Sequence, residues 1–129
     1  MNYKDFSHCH PIPVCWFCGR WGHEVPERWN SPWLLEKCHI VNKPRVCDVR
    51  VIVLMCSGCH KKSHGLEIAG FDIEAPTLAN MIWLKKIFDP DRFDLAFLRK
   101  HSIGNLPEPK EPPDSVQKEF RKRHGDYPI

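Results

Sequence analysis

A chain of 129 residues has room for one ordinary domain, and 42% hydrophobic with 27% charged residues is the make-up of a folded globule, not of a disordered chain. The longest apolar run, Val51 to Cys56, is six residues, far short of the ~20 that span a membrane, and nothing apolar follows the opening Met-Asn-Tyr-Lys-Asp to act as a secretory signal, so a cytoplasmic protein is expected. The net charge of +3 is unevenly spread: from Lys37 to His64, six basic residues face Asp48 alone, a local +5 that is either a solvated surface or the footprint of a polyanionic partner.

In chain order, residues 1–13 read as irregular, and Cys15-Trp16-Phe17-Cys18-Gly19 as a tight turn closed by glycine. Trp21 to Trp33, with three Trp and two Pro, reads as a packed loop. Leu34 to Val41 is predicted as a short strand ended by Asn42-Lys43-Pro44. Val46 to Met55, rich in β-branched residues with Val49, Val51 and Val53 at period two, is predicted as the returning strand. After Cys56-Ser57-Gly58-Cys59-His60, residues 61–64 have helical spacing and stop at Gly65. Pro76 and Thr77 open a helix with apolar positions Leu78, Met81, Ile82, Leu84, Ile87 and Phe88. Asp89 is expected to cap a second helix with Pro90 at its first position and Phe93, Ala96 and Phe97 on its buried face. Residues 104–113 form a proline-rich linker. The basic tail with Lys118, Arg121, Lys122 and Arg123 is either a short helix or a segment that orders on a partner.

Seven cysteines are too many, and odd in number, for a disulfide framework in such a chain; metal binding explains them better. Cys15-x2-Cys18 and Cys56-x2-Cys59 are two knuckles whose spacing lets both sulfurs of each converge on one tetrahedral ion. Together they predict a closed, structural four-thiolate zinc site, the staple that a small core lacks. A redox Cys-x-x-Cys is the competing reading, weakened by the lack of a βαβ pattern. His60 and His64, at i and i+4, put two imidazoles on one helix face, a half-site for a divalent metal. His39 lies on the strand that the knuckles hold against that helix.

In this order and spacing the segment from Cys15 to Gly65 resembles the zinc-stapled form of the HNH endonucleases, the ββα-metal nucleases. The matching elements are the first knuckle, Cys38-His39-Ile40-Val41, the strand from Val49 to Met55, Cys56-x2-Cys59-His60, and His64. The resemblance implies an α+β fold: a small zinc-stapled ββα-metal domain over residues 1–103, with its core at about 14–66 and a two-helix extension over 75–101, followed by the linker and tail at 104–129. It implies hydrolysis of a DNA phosphodiester, the DNA being double-stranded. His39 would be the general base, and His60 and His64, with Cys38 a candidate third, the ligands of a catalytic Mg²⁺, Mn²⁺ or Zn²⁺. A histidine of ordinary pKa, ~6.5, suits that base without tuning. Lys43, Arg45, Arg50, Lys61 and Lys62 are the candidate phosphate contacts, with the tail as a second, detachable patch.

Two positions depart from the family pattern. The residue before the base is usually Asp or His, a metal ligand, and here it is Cys38, a poor ligand for Mg²⁺. Glu36 shares its strand face and could assist across ~6–7 Å of strand rise. The motif's middle Asn falls near Val51, where no polar group exists. The alternative reading is therefore a zinc-stapled nucleic-acid-binding module of the same fold with weak or no catalysis.

Overall fold

The alternating β-branched and apolar residues before Cys56 form the centre of the molecule, as shown by a computed structural model that describes residues 14–20, 35–41, 48–67, 72–102 and 104–128. Strand β1 (Glu36–His39) pairs antiparallel with β2 (Ile52–Met55), in the register Glu36 to Met55 and His39 to Ile52. The backbone N–H of Ile40 donates to the Val51 carbonyl at 2.8 Å and extends the pairing by one step. The returning strand is shorter than its sequence pattern suggests. Val49–Val51 form a 3-10 turn in which Asp48 accepts from the Arg50 N–H, so the chain reaches β2 through a capped corner. The part of that segment before Asp48 lies outside the described residues, as do the loop from Trp21 to Trp33 and the irregular start up to residue 13.

Every residue of β2 is buried. The backbone N–H of Trp16 in the first knuckle donates to the Leu54 carbonyl at 2.9 Å, along the strand. Helix α1 (Ser57–Ser63) follows β2 directly and packs on both strands. Helix α2 (Leu78–Phe88) also lies against β2. It begins at a reciprocal cap in which Thr77 Oγ1 accepts from the Asn80 N–H and Asn80 Oδ1 accepts from the Thr77 N–H. Met81, Ile82, Leu84 and Phe88 are buried as their spacing predicts, but Leu78 is 38% exposed.

The helix expected to start at Asp89 does not. Pro90–Arg92 make a single 3-10 turn, and helix α3 runs over Leu95–His101 with Asp94 as its cap. The Asp89 carboxylate is engaged by Lys85 and Arg92, at 2.7 and 2.9 Å, and makes no cap hydrogen bond. As a result α3 anchors itself through Leu98, with Ala96 exposed.

The tail takes the helical form, one of the two that the sequence left open. Helix α4 (Asp114–His124) buries Val116, Gln117 and Phe120. Phe120 stacks on Tyr127 with ring centroids 4.1 Å apart, and both meet Phe88 edge-on. Phe88 in turn stacks on Trp16 of the first knuckle. The proline-rich stretch before α4 is held by Asn80, whose amide donates to the Lys110 and Glu111 carbonyls at 2.9 and 3.0 Å.

A buried cation ties α2 to the hairpin. The Lys85 side chain is fully enclosed and donates to the Val49 carbonyl at 2.6 Å and to Asp89 at 2.7 Å. Burial pulls its pKa from the ordinary 10.5 down to about 8, with Asp89 resisting. Between those values the native state binds fewer protons than the unfolded chain, so stability rises with pH across the window. This contribution is complete above the unfolded pKa and is lost as pH falls through about 8. We expect the urea midpoint of wild type to climb relative to that of Lys85→Met between pH 8 and 10.5. Parallel midpoint curves would show that Lys85 does not titrate with folding.

Candidate metal centre and histidine face

Cys15, Cys18, Cys56 and Cys59 are all buried, and their sulfurs lie within 4.8 Å of one another. Each knuckle is built locally. Cys18 N–H points at Cys15 Sγ and Cys59 N–H at Cys56 Sγ, both at 3.5 Å. The Gly19 N–H closes the first turn on the Cys15 carbonyl at 2.8 Å. Gly19 has φ +84°, and a Cβ there would meet His124 and Phe120 at 3.1 Å, so both backbone hand and space demand glycine. The second knuckle is the start of α1, with Cys56 as its cap residue.

The donor set fits zinc. Sulfurs ~2.3 Å from a tetrahedral ion are about 3.8 Å apart, and Cys18 Sγ and Cys56 Sγ are 3.9 Å apart. The thiols cannot all ionise side by side without a cation. Hydrogen bonds from Cys15, Cys56 and Cys59 hold Cys18 well below the usual thiol range. Cys56 is pushed well up by its contacts with Cys15 and Cys18, and Cys59 by burial. A divalent ion removes that conflict for the whole set. Arg20, which the sequence did not single out, stands beside the centre: burial opposes its charge, but hydrogen bonding to Cys18 and the charges of Cys18, Cys56 and Cys59 raise its pKa further.

The second constellation is only partly assembled. His60 on α1 and His64, the residue that ends the helix, are neighbours, with ring centroids 5.0 Å apart. His39 ends β1 with its side chain exposed. Its pKa is lowered from 6.5, first by desolvation and then by the charges of His60 and Lys37. Cys38 does not join them. It is 1% exposed, its thiol donates to the Glu36 carbonyl at 3.6 Å, and burial followed by the charges of Cys15 and Glu36 pushes its pKa well up. Among the described residues the cysteine tetrad is the sole group of three or more donors close enough for one ion. His60 and His64 thus stand side by side, and neither Cys38 nor His39 makes up a group of three donors with them. Glu36, weighed from the sequence only as an aid to Cys38, instead places its carboxylate 3.2 Å from His60 Nδ1.

The basic residues divide as well. Arg50 is held by Asp48 at 2.9 Å and Asp94 at 3.3 Å, and lies 3.5 Å over the Phe97 ring. It braces α3 against the corner before β2. Lys62 donates to the Ile73 carbonyl, and Lys61 is half-buried on α1. Lys43 and Arg45 lie outside the described residues. In the tail, Lys118, Arg121 and Lys122 are exposed on the outer side of α4, while Arg123 pairs with Glu119 at 3.0 Å. Val51, at the place of the family's Asn, is fully buried. Among the described residues no helix is long and apolar enough to cross a membrane. No family model matches the chain, and no curated protein or solved structure matches it.

Proposed function

We propose that this chain is a zinc-stapled, metal-dependent endonuclease of the ββα-metal type acting on double-stranded DNA, with His39 as its general base. One observation carries the reading: an antiparallel hairpin runs directly into a helix packed on both its strands, with His39 at the end of the first strand and His60 on the helix. A binding module has no need of that juxtaposition.

The lowered pKa keeps His39 neutral at pH 7, the state in which an imidazole accepts a proton from water. Its exposed position at the end of β1 gives a phosphodiester access to it. His60 and His64 are the side chains that would hold a divalent ion, which when bound supplies positive charge beside the scissile phosphate. Lys61, between them, and the outer basic side of α4 are the candidates for the DNA backbone, along with Lys43 and Arg45. Arg50 is better assigned to the fold.

A second reading, a nucleic-acid-binding module without efficient catalysis, is favoured by the burial of Cys38 and Val51 at the two positions where the family places polar groups. Plasmid nicking with Mg²⁺, Mn²⁺, Ni²⁺ or Zn²⁺ separates the two. His39→Ala should lower cleavage about 10²–10⁴-fold, the usual worth of a positioned base, while leaving zinc content and DNA binding unchanged. Equal cleavage by mutant and wild type would remove His39 from the mechanism. No cleavage by wild type with any of the four metals would leave the binding module.

A further inference from the structure

We propose that Glu36 is a positioning residue: its carboxylate fixes His60 in the Nδ1–H tautomer and leaves Nε2 as the ring's ligand atom. The inference rests on the metal-dependent reading above and adds to it the group that aims the ligand. Glu36 Oε1 is 3.2 Å from His60 Nδ1. An ionised carboxylate has only acceptors, so the imidazole must donate. A neutral ring carries one N–H, and with that hydrogen on Nδ1 the lone pair is on Nε2. Carboxylates in this outer position orient the ring and raise its basicity toward a metal.

The fold holds the pair together from two sides. Glu36 stands opposite Met55 in the hairpin register, and Met55 is followed at once by Cys56, the cap of α1. The hairpin thereby places Glu36 beside the first turns of the helix that carries His60. Both side chains are mostly shielded, at 29% and 27% exposed, so their contact is less weakened by water than a surface pair. His39 leaves the same strand three residues later. One short strand thus carries the proposed base and the group that orients its neighbouring ligand.

The test compares wild type, Glu36→Ala and Glu36→Gln, each zinc-loaded and checked for zinc content and circular dichroism. Long-range ¹H–¹⁵N spectra at neutral pH, with no added metal, should show His60 of wild type as the Nδ1–H tautomer. Glu36→Ala should lose that preference, and Glu36→Gln, whose amide oxygen still accepts, should keep it. Titration with Ni²⁺ or Mn²⁺ alone should then show affinity at the histidine pair falling about 10–100-fold in Glu36→Ala, with Glu36→Gln between. An unchanged tautomer in Glu36→Ala overturns the positioning role, whatever the metal does. A tautomer that depends on Glu36 in a protein that takes up neither metal would sustain that role and sink the metal-dependent reading instead. If Glu36→Ala does not fold, Glu36→Met, which keeps the bulk of the side chain without a carboxylate acceptor, takes its place in both measurements with the same expected losses.

Discussion

Removing zinc from the Cys15, Cys18, Cys56 and Cys59 set should unfold most of this protein. Two four-residue strands are too little to stand alone, and the first knuckle reaches β2 through the Trp16 backbone and the shared sulfurs. A structural zinc contributes about 10–16 kcal/mol at neutral pH, as much as the whole net stability of a domain, ~5–15 kcal/mol. Chelation, or Cys59→Ser, should therefore collapse the far-ultraviolet signal and the near-ultraviolet bands of the Trp16–Phe88 stack. Cys38→Ser is the internal control. Its thiol lies outside the tetrad, so it should keep one zinc per chain by metal analysis, with only the loss expected from a polar group in the core. Folded protein purified without zinc, or loss of zinc in Cys38→Ser, would overturn this assignment.

Cutting away α4 should have the next largest effect, because the helix closes the first knuckle from outside. His124 Nε2 meets the Gly19 carbonyl at 2.6 Å, and the Tyr127 hydroxyl donates to the Phe17 carbonyl at 3.0 Å. Between them Phe120 is 2% exposed in the ring cluster with Phe88 and Tyr127. Phe120→Ala should cost ~3–5 kcal/mol, as other buried phenylalanines do, and truncation after Pro113 should cost more, since it also removes Val116 and Tyr127. Alanine at Lys118 and Lys122, both exposed, should move stability by no more than ~0.5 kcal/mol. Denaturant midpoints of the four proteins decide the matter. A Phe120→Ala midpoint equal to wild type would mean that α4 does not support the knuckle.

What the sequence by itself determined is what its short spacings encode. Two residues between cysteines bring both sulfurs of a knuckle to one side of a turn, and four residues from His60 to His64 bring two rings to one helix face, wherever the rest of the chain goes. The cap at Thr77 and most of the apolar stripe of α2 are local in the same sense. What only the tertiary structure decided are meetings between residues far apart in the chain, for which no spacing rule exists. Alternation along β1 says that Cys38 and His39 face opposite ways but not which face is covered; the folded chain buries Cys38 and leaves His39 outside. Arg50 had the charge of a phosphate contact, yet Asp94 and Phe97, more than forty residues on, hold it. Glu36 and His60 are 24 residues apart. The tail reads as polar and basic because only Val116 and Phe120 are buried apolar residues of α4, and Phe120 finds its place only where Phe88 and Tyr127 supply a surface. Local geometry follows from covalent spacing, whereas the choice of buried face and of ion partner follows from which surfaces the whole chain can bring together and dry.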